Sequence, residues 1–388
     1  MSEGSNAYDA SRIQVLEGWD AVRARPGMYI GSTDERGLHR MVFEVAGRAV
    51  NEVLAGRAGC VDITLTADAG VRVADDGPGV RIDGPAEAGG SSLEALLTRM
   101  EARASYRSRH DVTPGHFWMG PGTVSALSSR MTAEVQCDGV RWVQEYARGV
   151  AVAPPADAGP AVGRGTALAF WPDGDIFGSA ECSFGALADR FRELAFLNRD
   201  LDISLTDCRG PAEPRSVRFR FPGGVRDFVG FLEEGAGAPV HPDVIGFEQE
   251  HPTIAGAVEV ALRWRTSREA RVLGFVNSRP TSGDGTHEMG FRDGMAAAVN
   301  GYARERRLLT EADPDLGVDR IGEGLTAVVS VKLDCPEFEF SPRDRLGNAS
   351  VRACVGQAVQ EHLREWLDGH PEQAAAIIGR ITRDAHQR

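Results

Sequence analysis

One stretch limits what this chain can become: HRMVFEVAGRAVNEVLAG, residues 39–56. Met41, Val42, Val45, Ala49, Val50, Val53 and Leu54 recur at three- and four-residue steps, so a helix gathers them into one apolar stripe. Glu44, Arg48, Asn51 and Glu52 fall on another face, and Gly56 is placed to end the helix. Two segments with period-two alternation follow, residues 61–66 and 70–74. The second runs straight into Asp75-Asp76-Gly77-Pro78-Gly79, a turn that leaves Asp75 at a strand end facing a cleft.

The rest of the chain continues the mixture. A short helix is predicted over 15–23 and another over 92–104, and a helix start follows the glycines at 120 and 122. Residues 132–147 read as a hairpin around Cys137-Asp138-Gly139, and Gly165–Phe170 as a further strand. A helix over 184–197 and a strand over 202–206 complete an α+β sandwich, with helices on one face of a mixed sheet. A break is expected near Phe221-Pro222-Gly223-Gly224. After it come a helix over 225–233, strands over 257–264 and 271–276, a helix over 289–306, a strand over 325–332 and a long helix from about Val351. The expected division is an arm over 1–14, one domain over 15–221 and a second over 222–388.

Bulk properties exclude several classes. A formal net charge of -13 argues against a wholly basic nucleic-acid module and gives no positive case for DNA contact. The six cysteines are widely spaced, without a C-x-x-C pair, so free thiols rather than a metal centre are expected. No apolar run approaches the ~18 residues that would cross a membrane, and the first residues are too polar for a signal peptide, so a cytoplasmic protein is expected. Arginine replaces lysine almost everywhere; Lys332 is the only lysine.

Read in order, RARPGMYIGS (24–33), LHRMVFEV (38–45), DDGPG (75–79), GTALAFWP (165–172), LAFLN (194–198), GTHEMGFRDGM (285–295) and EGLTAVVSVKL (323–333) form a recognisable series. The chain resembles the N-terminal ATPase and transducer region of the ATP-hydrolysing half of type IIA topoisomerases, the gyrase B type, and the likeness covers essentially its whole length. The resemblance implies a GHKL (Bergerat) ATPase sandwich followed by a ribosomal-S5-like α/β transducer domain. It implies a general base at Glu44, an aspartate at Asp75 that takes the adenine amino group, a close approach of backbone to base at Gly79 with Val80 beside it, and a supporting hydroxyl at Thr166. It implies ATP or ADP as ligand. It also implies a homodimer through an N-terminal arm carrying Tyr8 and Ile13, and a gyrase A-type subunit as a further partner.

Departures cluster around the phosphates. Where the family has an asparagine that holds Mg²⁺ one turn after the glutamate, this chain has Arg48, whose guanidinium offers donors only. Mg²⁺ is therefore not expected to be held in the family's way. Spacing allows an intrahelical Glu44–Arg48 salt bridge; alternatively Arg48 replaces the metal's positive charge, which would also lower the Glu44 pKa and weaken it as a base. Pro78 stands where the family has an arginine, so Glu52 is expected to lose its partner. The phosphate loop reads Pro114-Gly115-His116-Phe117-Trp118-Met119-Gly120, with Gly122 just beyond, in place of glycines and small residues. Arg343 occupies the place of the lysine that reaches the terminal phosphate. Together with Asn51, these are the candidate ligand-contacting residues. The expected reading is an adenine half that survives beside a catalytic half that does not: a dimerising nucleotide-binding protein with impaired or lost Mg²⁺-dependent hydrolysis. Three readings stay open beside it: an active ATPase fragment of a DNA-supercoiling enzyme, a repurposed enzyme using Glu44 as base on a small molecule, and a regulator of true topoisomerase subunits.

Overall fold

The computed structural model describes residues 18–82, 93–100, 109, 111–112, 119–211, 213–235, 237–310, 312–339 and 344–383. Tyr8, Ile13, Gly115, His116, Phe117, Trp118 and Arg343 lie outside the described residues.

Two short helices, α1 (Gly18–Ala24) and α2 (Gly27–Ile30), lead into α3 (Glu35–Leu54). The last starts four residues before the stretch read from periodicity, because Asp34 caps it by accepting from the Arg36 N–H. Then come strands β1 (Val61–Leu65) and β2 (Val71–Asp75), and short helices α4 (Leu93–Thr98) and α5 (Gly120–Ala126). Next are β3 (Ser128–Cys137), β4 (Val140–Ala147), β5 (Val150–Ala151), β6 (Ala156–Pro160) and β7 (Gly165–Pro172). Helices α6 (Gly174–Phe177) and α7 (Phe184–Leu197) and strands β8 (Ile203–Asp207) and β9 (Arg215–Phe219) complete this half.

Among the described residues, nine strands form one sheet in the order β5-β4-β3-β7-β2-β1-β8-β9, with β6 also on β4. Only the β1–β8 pairing is parallel. Helices α3 and α7 lie on its apolar face and meet each other edge to face through Phe43 and Phe191, 5.6 Å between ring centres. Burying residues such as Met41, Val42, Ile63 and Phe191 contributes about 1.5–3 kcal/mol each.

Helix α8 (Val225–Leu232) opens the second half, followed by β10 (Ile245–His251), β11 (Gly256–Trp264), β12 (Arg271–Val276) and β13 (Arg279–Pro280). Then come α9 (Thr286–Glu305), α10 (Val318–Gly322), β14 (Leu325–Leu333), α11 (Ala349–Gly369) and α12 (Pro371–Arg383). The sheet order is β10-β11-β14-β12-β13, with β12 and β14 parallel across the α9 connection. Central β14, LTAVVSVKL, is covered on both faces: α9 and α11 cover the apolar face of Leu325, Ala327, Val329 and Val331, while α8 packs over Ala261, Phe275 and Val328 on the other, which also carries Thr326, Ser330 and Lys332.

Candidate functional site

Helix α3 lies across the sheet so that its polar face meets the ends of β2 and β7. Glu44 is fully buried there. Its Oε1 accepts from Arg40 Nε at 2.8 Å, and its Oε2 accepts from the backbone N–H groups of Met119 (3.0 Å) and Gly120 (3.1 Å) at the start of α5. Both carboxylate oxygens are thus engaged, one by the helix turn before it and one by the backbone entering the next helix.

This corrects the pairing that spacing allows. Arg48 does not turn back to Glu44. It crosses the cleft to Asp75, where Nη2 donates to Oδ2. Both side chains are withdrawn from solvent, to 10% and 1% exposure, and at that burial the aspartate's charge outcompetes an intrahelical contact for the guanidinium. The Glu44 carboxyl is correspondingly not lowered by Arg48. Burial pushes its pKa up, with Arg40 and the two amides opposing.

Asp75 ends β2 in register with Thr166 on β7, and its Oδ1 accepts from the Gly77 N–H at 3.1 Å. Thr166 Oγ1 accepts from Val80 N–H at 3.0 Å, which fixes the turn between them. That turn passes through Gly79 at φ +87, where a side chain would press to 3.1 Å from Val135. Asp75, Thr166, Gly79, Val80 and Arg48 therefore converge. The residues of the expected adenine half, Asp75 with Thr166, Gly79 and Val80, stand together, and Arg48 takes one oxygen of Asp75 among them. The guanidinium also carries an unmet group: Arg48 Nε is buried with no hydrogen-bond partner among the described residues.

The remaining candidates divide. Asn51 clamps the backbone of Val112, accepting from its N–H at 2.8 Å and donating to its carbonyl at 3.3 Å, so its amide serves the chain itself. Gly120 brings its amide to Glu44, whereas Gly122 lets α5 approach the end of α4, where a Cβ would stand 2.5 Å from the Arg99 carbonyl. Glu52 is not left alone as expected: Arg57 donates to both its oxygens, at 2.7 and 3.1 Å. Arg40 is not among the sequence candidates, though it stands one turn before Glu44 on the same face. Among the described residues no group of three or more His, Cys, Asp or Glu side chains is placed to hold a metal ion, and no helix is long and apolar enough to cross a membrane.

Comparison with known proteins agrees with this architecture. The family model for DNA gyrase B matches residues 224–388. The DNA gyrase B protein of Streptomyces coelicolor is 43% identical, aligned over 100% of this chain and 59% of that protein. The novobiocin-resistant DNA gyrase B protein of Streptomyces niveus is 41% identical over 99% of this chain and 59% of its own length. The chain thus spans about three fifths of the curated relatives it matches. Among solved structures, the 43K ATPase domain of Thermus thermophilus gyrase B, in complex with an aminocoumarin, superposes with a TM-score of 0.80 at 31% identity, covering 95% of each chain. The topoisomerase IV ATP-binding domain of Francisella tularensis gives a TM-score of 0.76 at 26% identity.

Proposed function

The chain belongs to the DNA gyrase B family, and from that premise we propose that it is a dimerising, purine-nucleotide-binding protein whose Mg²⁺-dependent hydrolysis is impaired or lost. The observation that carries this reading is the course of Arg48. At the place of the expected metal-binding asparagine stands a donor-only group that closes on Asp75. Mg²⁺ wants oxygen ligands in octahedral geometry, and Arg48, at the place of the family's ligand, offers none.

What supports nucleotide binding is the preserved frame: Asp75 opposite Thr166, the Gly79 turn, and family membership. What speaks against efficient turnover is Glu44. A general base must reach its proton directly or through one water. This carboxylate instead holds the entrance to α5, and the same engagement disfavours its reuse as a base on another substrate. ATP and ADP are the first ligands to test. The same proposal includes a homodimer through residues 1–14 and association with a gyrase A-type subunit.

Calorimetry with ATP, ADP and a non-hydrolysable analogue, with and without Mg²⁺, together with a malachite-green phosphate assay, tests the reading. The expected result is binding that needs no Mg²⁺, phosphate release near background, and a gain in release when Arg48→Asn restores an oxygen. Mg²⁺-dependent turnover matching ordinary gyrase B fragments, with no gain in the variant, would overturn it.

A further inference from the structure

Arg48 changes more than the metal site, because it ends at the aspartate that reads the base. Asp75 spends Oδ1 on Gly77 N–H and Oδ2 on Arg48. A guanidinium carries five N–H donors and no acceptor. One of those donors, Nε, is buried without a partner among the described residues, on a side chain that is nine-tenths withdrawn from solvent. The carboxylate that would otherwise stand bare now has a guanidinium beside it.

An arriving exocyclic amine brings only donors to that place: it can reach a free lone pair of Asp75, but it gives the guanidinium beside it nothing to donate to. An arriving carbonyl oxygen brings an acceptor, which an unmet buried donor requires. The carboxylate keeps unused lone pairs, so an N–H next to that carbonyl still has somewhere to donate. Position 6 of a keto purine with its neighbouring N1–H has this pairing of acceptor and donor. We propose that Arg48 is a specificity-determining residue that turns the pocket from 6-amino toward 6-keto purine nucleotides.

The inference rests on the nucleotide-binding reading above, and the test separates the two. Adenosine and inosine triphosphates differ only in the 6-amino against the 6-keto group and the N1 proton that goes with it. Each is titrated calorimetrically into the wild-type chain in EDTA, which removes the metal as a variable. The expected result is inosine triphosphate bound at least about tenfold more tightly than ATP, with the order reversed in Arg48→Asn. ATP equal to or tighter than inosine triphosphate in the wild type would overturn the inference while leaving nucleotide binding standing. A preference for inosine triphosphate that survives Arg48→Asn would overturn its assignment to Arg48. No binding of either would overturn the nucleotide reading and this inference with it. The wild-type comparison needs no variant to fold.

Discussion

Glu44 has one charged neighbour four residues before it and another four residues after it, and the fold gives it the first. Arg40 donates to it, whereas Arg48 leaves for Asp75. Nothing in a helical wheel separates the two arginines. What decides is a carboxylate on a strand 27 residues on, which sequence periodicity does not place in space. The helix and its polar face are legible, then, but the pairing within that face is not. The consequence is a titration of a particular sign. Burial raises Glu44's folded pKa above its ordinary 4.5, so over the pH range just above 4.5 the folded chain holds a proton that the unfolded chain has released. Its contribution to stability is therefore largest in acid and falls as pH rises through the folded pKa. Glutamine at this position mimics the protonated form at every pH. Thermal melts of wild type and Glu44→Gln from about pH 4.5 to about pH 8 should show the variant gaining relative stability as pH rises. A relative loss would mean that Arg40 and the two amides outweigh desolvation.

At the scale of elements, the longest periodic segments are legible within a few residues: α7, β11, β12 and β14 stand almost where alternation and helical spacing put them. Strands β9 and β10, like the short β5, β6 and β13, escape such a reading. Residues RSVRF are mostly exposed and flanked by charge, and of IGFEQEH only Ile245 is buried, so neither carries a strong apolar signal. Both are built by pairing with a neighbour, β8 and β11, rather than by their own pattern. The contact between α9 and α11 is also hidden in the sequence. Gly290 and Gly294, one turn apart, let the two backbones meet: a Cβ at either would stand 2.3 Å from a carbonyl oxygen, of Arg352 and Gly356 respectively. Gly290 and Gly294 thus serve helix packing in the second half, far in sequence from the Gly79 turn. Gly294→Ala should force the helices apart and cost about 1–3 kcal/mol. Urea unfolding followed by circular dichroism checks it; a midpoint equal to wild type would show that α11 can shift without loss.

Among the described residues, the nine-stranded and five-stranded sheets are joined by a seam, and the chain's only lysine lies in it. On the first half, α7 ends at Asn198, whose side chain caps Leu194 and donates to Ser278 Oγ at 3.0 Å. Arg190 reaches the Ser278 carbonyl at 3.0 Å, while Arg199 pairs with Glu259 and lies 3.3 Å from Glu248. Phe196 is stacked between Phe221 and Phe228, at 3.8 and 4.7 Å between ring centres. From the second half, Lys332 donates to Asn198 Oδ1 at 3.3 Å. Burial lowers its pKa, and nearby Glu259 opposes that. Where arginine stands in nearly every other basic position, a compact point charge is kept here, and a planar five-donor fork would leave N–H groups unmet at such a site. Lys332 also makes the seam readable, because it is the only side-chain amine. Its acylation by a small amine-reactive ester, followed by mass spectrometry, reports only what happens between the two halves. Modification should be at least about tenfold slower in the folded chain than in urea, since the amine must wait for the seam to open. Asn198→Ala, which removes its cross-seam acceptor and frees the Ser278 hydroxyl, should speed that reaction without unfolding either sheet. Equal rates in wild type and variant would mean that the Asn198 contacts do not hold the seam shut, and that the stacked phenylalanines with the Arg190 and Arg199 contacts do.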